Sequence, residues 1–142
     1  HASLHDVGRP TKQNVHDWMH TLVANGIYNI CLYLTLEAFI ENRQHNVYEL
    51  LRGFIHHWRW PSKLHTNDLH EIFSAKRKKS HREAKHIKSQ ASDMLTLAPV
   101  IAYFVQSILL PSACDEKCTN ACRTFLALSD VLGFISHANR GI

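Results

Sequence analysis

The chain has 142 residues, which is the size of about one domain and enough to bury a sizeable core. Its four cysteines are unevenly spaced, which argues against the disulfide framework of a small secreted domain and favours an intracellular, reducing compartment. The net charge of +4 is unevenly distributed, because residues 76–88 carry +6 and the rest of the chain sums to −2. The first residue is His1 and no secretory leader pattern follows it, so we expect a piece of a longer protein.

The first third of the chain changes from an irregular to an apolar pattern. Residues 1–14 contain glycine and proline without periodicity, so we expect an irregular lead-in. Apolar residues then recur at helical spacing over residues 15–23, and residues 27–40 are apolar nearly all round, which predicts a helix at the centre of a bundle. This run is shorter than a membrane span and includes Asn29 and Glu37, so we expect no membrane partner.

A second helix is predicted from Asn46, with Glu49 three residues later as a capping signature. It should stop near Trp60, because Pro61 disfavours helical geometry in the residue before it. The W-R-W-P corner places Trp58 and Trp60 at a turn. Such a pair is more often a structural plug, and a platform for stacking an extruded base is the functional alternative.

Residues 66–88 predict a helix that changes character along its length. It begins with Leu69, Ile72 and Phe73 and then becomes strongly basic, with Glu83 as the single acid from residue 76 onward, which gives residues 76–88 a charge of +6. Such a charge run is either a solvated face or a patch that binds phosphates by releasing counterions. The candidate DNA-binding residues are Lys76, Arg77, Lys78, Lys79, Arg82, Lys85 and Lys88.

Two further helices complete the prediction. The first covers residues 91–110 as one helix or a bent pair of helices, with Ser92 or Thr96 as a cap, Pro99 tolerated only near a first turn, and Pro111 as its end. The second opens at a capping signature formed by Ser112 and Asp115. No segment alternates like a strand, so we predict a single all-α domain, an irregular bundle of about five or six helices. Its predicted core residues include Trp18, Leu22, Leu32, Leu51, Phe54, Phe104, Leu109, Phe125 and Leu132.

Two sequence patterns resemble metal sites, but neither matches the ligand set or spacing of a zinc site closely. The motif His16-Asp17-x-x-His20 places two imidazoles one turn apart, as zinc proteases do, but it lacks their glutamate. Cys114, Cys118 and Cys122 lie along one helix, a spacing that suits core packing better than a zinc site. We therefore expect no zinc bound by the cysteines.

The stretch D-W-M-H, from Asp17 to His20, with Gly26 nearby, resembles the D-x-x-H block of DDE-type DNA transposases of the CACTA and Plavaka-like eukaryotic groups. The W-x-W-P corner and the segment 89–97 resemble further parts of such a family. In these enzymes an RNase H-like domain holds two divalent metals, so the resemblance implies Mg²⁺, with Asp17 as a metal ligand and His20 as its companion. Asp93 is the third catalytic candidate by position, although glutamate is expected there, which puts activity in doubt.

The resemblance implies that this chain is mainly the helical insertion of a catalytic domain whose first aspartate lies on a strand upstream of His1. Its expected partners are DNA and the rest of that domain, and its expected location is nuclear or otherwise intracellular. The leading interpretation is a transposase-like fragment that binds DNA without cutting it alone. The alternative is a non-enzymatic helical module that binds nucleic acid or another protein.

Overall fold

The computed structural model describes Val23 and residues 26–61 and 68–140. For residues 139 and 140 it describes the backbone only. This part of the chain is all-helical and forms an irregular bundle, as predicted. A 3₁₀ helix precedes the third α-helix, and the fourth α-helix continues through a π-helical segment and a short last turn. The elements in chain order are α1 (Ile27–Glu41), α2 (Val47–His56), the 3₁₀ helix (Leu69–Phe73), α3 (Ala75–Ala84), α4 (Ala91–Phe104), the π segment (Val105–Leu109), its last turn (Leu110–Ser112) and α5 (Glu116–Arg140).

Helices α1 and α5 pack antiparallel along much of their length. The ring of Tyr28, near the start of α1, lies 5.2 Å from that of Phe125. Further along α1, the hydroxyl oxygen of Thr35 lies 3.4 Å from the carbonyl oxygen of Ala121, which is earlier in α5. Because α1 has neighbours on one side only within the described residues, its other side is open to solvent. The prediction that α1 is buried all round is therefore wrong: Ile27, Ile30 and Leu34 are 62%, 40% and 58% exposed.

Helix α2 begins directly after Asn46, as the capping signature predicts, but it ends at His56 rather than near Trp60. The indole N–H of Trp60 donates to the carbonyl of Ile55 at 3.2 Å. The same carbonyl also accepts the backbone N–H of Trp58 at 3.2 Å, so two donors satisfy it where the helix ends, before the proline is reached.

Helix α4 runs through Pro99, which lies well inside the helix and not in its first turn. Proline cannot donate to the carbonyl four residues earlier and costs a helix about 3 kcal/mol. Met94 and Leu97 before it and Phe104 after it are all fully buried in the same core. Burial of each such side chain contributes about 1.5–3 kcal/mol, which offsets that cost.

The predicted caps of the last two helices are also corrected. Residue Gln90 precedes α4, while the hydroxyl of Thr96 donates to the carbonyl of Ser92 inside the helix. At the start of α5, a carboxylate oxygen of Asp115 accepts the N–H of Cys118 at 2.8 Å. Asp115 is therefore itself the capping residue, whereas Ser112 closes the preceding turn.

One core connects the helices of the described part. The predicted core residues Leu32, Leu51, Phe104, Leu109, Phe125 and Leu132 are buried in it. Phe54 is half-buried, because it lies at the edge of the core, where its ring packs 5.2 Å from that of Phe104. The predicted core residues Trp18 and Leu22 and the lead-in 1–14 lie outside the described residues.

The continuous helical stretch from Ala91 to Ser112 has a feature that its sequence pattern did not reveal. Over 22 residues it is long and apolar enough to cross a membrane by length and composition, and it is the one such helix in the described part of the chain. Its apolar character comes in part from residues that form the core of the bundle, such as Val100 and Ile101.

Candidate nucleic-acid interface

The basic segment, residues 76–88, is carried by α3 and the non-helical stretch after it. Ser74 has an extended backbone and separates α3 from the 3₁₀ helix, so residues 68–88 do not form the single helix predicted from the sequence. The carbonyl of Ser74 accepts the N–H groups of Arg77 and Lys78 and begins α3. The helix ends at Lys85, whose φ of 61° lies in the left-handed region. The basic residues are therefore divided between a helix and the connection that follows it.

His81 is the buried residue of α3 and attaches this helix to the rest of the fold. Its Nε2–H donates to the carbonyl of Ile72 at 2.7 Å, and its Nδ1 accepts the N–H of Lys88 at 3.0 Å. Its ring also stacks on that of Tyr48, with 6.4 Å between centroids. Both ring nitrogens are used, which identifies the neutral imidazole with its proton on Nε2.

The stretch after α3 is held by Asn29 of α1. The backbone N–H of Ile87 donates to the backbone carbonyl of Asn29 at 3.2 Å. In return the side-chain amide of Asn29 donates to the carbonyl of Ile87 at 2.7 Å and to the hydroxyl of Ser89 at 3.1 Å. Because Asn29 and Ile87 are both fully buried, these bonds fix the backbone on which Lys85 and Lys88 lie.

Three of the seven basic side chains make contacts within the fold. Arg77 donates to the carbonyl of Lys88 at 2.6 Å. The ammonium group of Lys78 lies 5.3 Å from the centroid of the Tyr48 ring, within the range of a cation–π interaction. Arg82 pairs through Nε with Glu37 of α1 at 3.1 Å.

The other four basic residues are directed to solvent. Lys76 and Lys79 lie one turn apart on α3, while Lys85 and Lys88 follow the helix, and all four are exposed. Within the described part of the chain none of the four forms an ion pair. These lysines are thus the members of the basic segment that can meet a phosphate group without first leaving another partner.

A shallow surface cleft of about 450 Å³ lies along α3. Lys78, Lys79 and Arg82 line it together with Ala75 and Glu83. Three cations converge there against one carboxylate, so the cleft has the charge and the donor groups that suit an anionic oxygen group.

The predicted catalytic residues are not brought together in the described part of the chain. Asp17 and His20 lie outside it, as does His16. Asp93 lies in the first turn of α4, where a carboxylate is favoured by the helix dipole. Among the described residues no group of three or more His, Cys, Asp or Glu side chains is arranged to hold a metal ion. Of the carboxylates that the resemblance implies for a Mg²⁺ site, the described part of the chain contains Asp93 alone, and one carboxylate does not fit a two-metal centre.

The tryptophan corner is a structural feature of the bundle. Trp60 closes the end of α2 through its indole N–H, as described above. Trp58 is half-buried, and its ring lies 5.6 Å from that of Phe54 and 5.7 Å from that of Tyr103. Both indoles pack against the core, which agrees with the interpretation of a structural plug.

The three clustered cysteines differ in their surroundings. Cys118 and Cys122 are fully buried on the face of α5 that packs on the core, as predicted. Burial raises the pKa of Cys118 to about 11 and that of Cys122 to about 12. Cys114 is exposed because it precedes the start of α5, so its assignment to the core is wrong.

Sequence reasoning missed two residues that organise the basic segment, His81 and Glu37. His81 and Ala84 are three residues apart on α3, and Ala84 is half-buried. The sequence gives only a weak signal for this face, because the exposed Ser80 is less polar than His81 and also lies at helical spacing from Ala84. No comparable signal exists for Glu37, because its partner Arg82 lies 45 residues away.

No protein-family model, no curated protein and no solved structure matches this chain.

Proposed function

We propose that this chain is a helical DNA-binding module that contacts the phosphate backbone through the basic segment, without sequence preference. The observation that carries the proposal is the set of four exposed lysines, Lys76, Lys79, Lys85 and Lys88, on a backbone fixed by buried hydrogen bonds. Phosphate contacts supply most of the free energy of non-specific DNA binding, and they require cations rather than base-reading side chains.

The distribution of charge supports DNA binding over the alternative that the basic segment is only a solvated surface. Residues 76–88 carry seven basic residues and one acidic residue, within a chain whose total charge is +4. The remainder of the chain is therefore mildly acidic. A concentrated positive segment on such a chain orients it toward a polyanion and raises the association rate.

The experiment is a salt titration of binding to duplex DNA, followed by fluorescence anisotropy with two duplexes of unrelated sequence. If four lysines meet phosphates, the logarithm of the association constant should fall with the logarithm of salt concentration at a slope of about −3.6. The double variant Lys76→Gln and Lys79→Gln should weaken binding and make the slope shallower by about 1.8. Both duplexes should give the same result.

The matched control is the double variant Lys117→Gln and Arg123→Gln, which removes the same charge from exposed residues of α5. It should alter the slope by much less, because those residues lie outside the basic segment. Affinity that is independent of salt, or that falls equally in both double variants, would overturn the proposal in favour of a protein-interaction module.

The transposase resemblance adds a second proposal about the origin of the chain, namely the helical insertion of a DDE-type catalytic domain. The all-helical character of the described residues supports it. A reading frame that supplies an upstream strand ending in aspartate is the observation that tests it. The DNA-binding proposal does not depend on this origin, and we expect no cleavage of DNA by this chain alone.

A further inference from the structure

Among the described residues, Glu37 is the acidic residue outside the basic segment that pairs with one of its cations. It lies on α1, and one carboxylate oxygen, Oε1, accepts the Nε–H of Arg82 at 3.1 Å. The other oxygen, Oε2, accepts the hydroxyl of Tyr48 at 3.2 Å. The side chain of Glu37 is 20% exposed and that of Arg82 is 45% exposed, so solvent and solutes reach the pair.

Glu37 also acts on a second cation through Tyr48. The hydrogen bond to Glu37 fixes the Tyr48 ring over which the ammonium group of Lys78 lies. Burial raises the pKa of the Tyr48 hydroxyl, and the charge of Glu37 raises it further, so this group remains a donor. Arg82 and Lys78 are two of the three cations that line the cleft along α3.

A carboxylate that binds a guanidinium group occupies the type of position that a phosphate group takes. The pair between Glu37 and Arg82 uses Nε, so the two terminal NH₂ groups of Arg82 lie outside it. Partly exposed ion pairs are weak and exchange readily, so a phosphate group that offers two oxygens can displace the carboxylate.

We infer that Glu37 is an internal competitor for the phosphate group that Arg82 binds in the cleft, and that it thereby limits the affinity of the basic segment for DNA. This inference rests on the proposed function and adds a residue that determines its affinity. Without Glu37, Arg82 becomes a fifth cation available to phosphates, beside the four exposed lysines.

The test is the variant Glu37→Gln, which retains an oxygen for the Tyr48 hydroxyl while removing the charge. The affinity for duplex DNA should rise about two- to fivefold, which corresponds to the free energy of one exposed ion pair. The salt slope should steepen by about 0.9. The control is Glu41→Gln, one turn further along α1, where the carboxylate pairs with Lys117 at 2.6 Å. It removes the same charge without altering a contact of the cleft, so its salt slope should match the wild type.

A second measurement uses inorganic pyrophosphate and the NMR signal of the Arg82 Nε–H group. In the Glu37→Gln variant this signal should shift at lower pyrophosphate concentration than in the wild type, while in Glu41→Gln it should shift as in the wild type. This measurement tests the inference even if the wild type does not bind DNA. An absence of DNA binding would overturn the proposed function and leave the competition between Glu37 and phosphate to be decided by pyrophosphate. Equal pyrophosphate and DNA affinities in Glu37→Gln and Glu41→Gln would overturn the inference while leaving DNA binding intact.

Should Glu37→Gln fail to fold, single variants of the cleft decide the same point. Arg82→Gln should then weaken DNA binding less than Lys79→Gln does, because Arg82 is already paired and Lys79 is not. Equal losses in these two variants would contradict competition by Glu37.

Discussion

The imidazole of His81 accepts a hydrogen bond from the backbone N–H of Lys88, with 3.0 Å between Nδ1 and the amide nitrogen. The same ring donates from Nε2 to the carbonyl of Ile72. One buried side chain therefore links the 3₁₀ helix, α3 and the stretch that follows α3. This arrangement requires the neutral imidazole, since a protonated Nδ1 would direct an N–H group at the amide of Lys88.

The stability of the fold should accordingly depend on pH through His81. Burial lowers the pKa of His81 below its ordinary value of 6.5; the bond to Ile72 opposes this shift, and the positive charges of Arg77, His86 and Lys88 add to it. A histidine whose pKa is lowered on folding contributes its stability above the unfolded pKa. This contribution is lost as the pH falls from about 6.5 through the lower pKa of the folded protein, at up to about 1.4 kcal/mol per pH unit.

Urea unfolding between pH 5 and pH 8 measures this dependence, with His81→Gln as the comparison that isolates one of the 12 histidines. The difference in unfolding free energy between wild type and variant should shrink as the pH falls below about 6.5. A difference that stays constant over this range would show that His81 is not held in its neutral form.

Replacing Asn29 by alanine should destabilise the protein by about 1–3 kcal/mol. The change removes the donor to the buried carbonyl of Ile87, and a buried acceptor that loses its partner carries a cost of that size. Chemical denaturation provides the measurement, and Asn120→Ala is the control. Asn120 is exposed on α5, so its replacement should change the unfolding free energy by no more than about 0.5 kcal/mol. Similar effects for both variants would contradict the role assigned to Asn29.

The cysteines should react with a thiol reagent at widely different rates. The exposed Cys114 should be modified rapidly in the native protein, whereas the buried Cys118 and Cys122 have raised pKa values and should react only when the protein unfolds. Kinetics with an aromatic disulfide reagent at pH 8 measure this in a Cys31→Ser background, because Cys31 is half-buried on α1, and Cys114→Ser should then abolish the fast phase. A fast phase that survives this change would show that α5 opens readily or packs differently.

Local patterns in the sequence predict much of the bundle. The helical spacing of apolar residues locates α2, and it correctly places Leu51 and Phe104 in the core. It also predicts that Cys122 and Phe125 face inward on α5. This success has a physical basis, because an amphipathic helix carries the direction of its buried face in its own residues.

The prediction was wrong where the outcome depends on contacts between distant parts of the chain. The continuation of α4 through Pro99 depends on burial of residues on both sides of the proline, which no local window contains. The exposure of Ile30 and Leu34 likewise reflects how many neighbours α1 receives rather than how apolar it is.

At the candidate site, the amount of positive charge and its location in residues 76–88 follow from the amino-acid sequence. Which of those charges are available depends on how the helices pack. Arg82 is paired because α1 brings Glu37 beside α3, and the stretch that carries Lys88 is held because His81 and Asn29 reach its backbone. The energy of such pairs depends on distance, direction and burial across separate elements, and these quantities are fixed only when the helices pack.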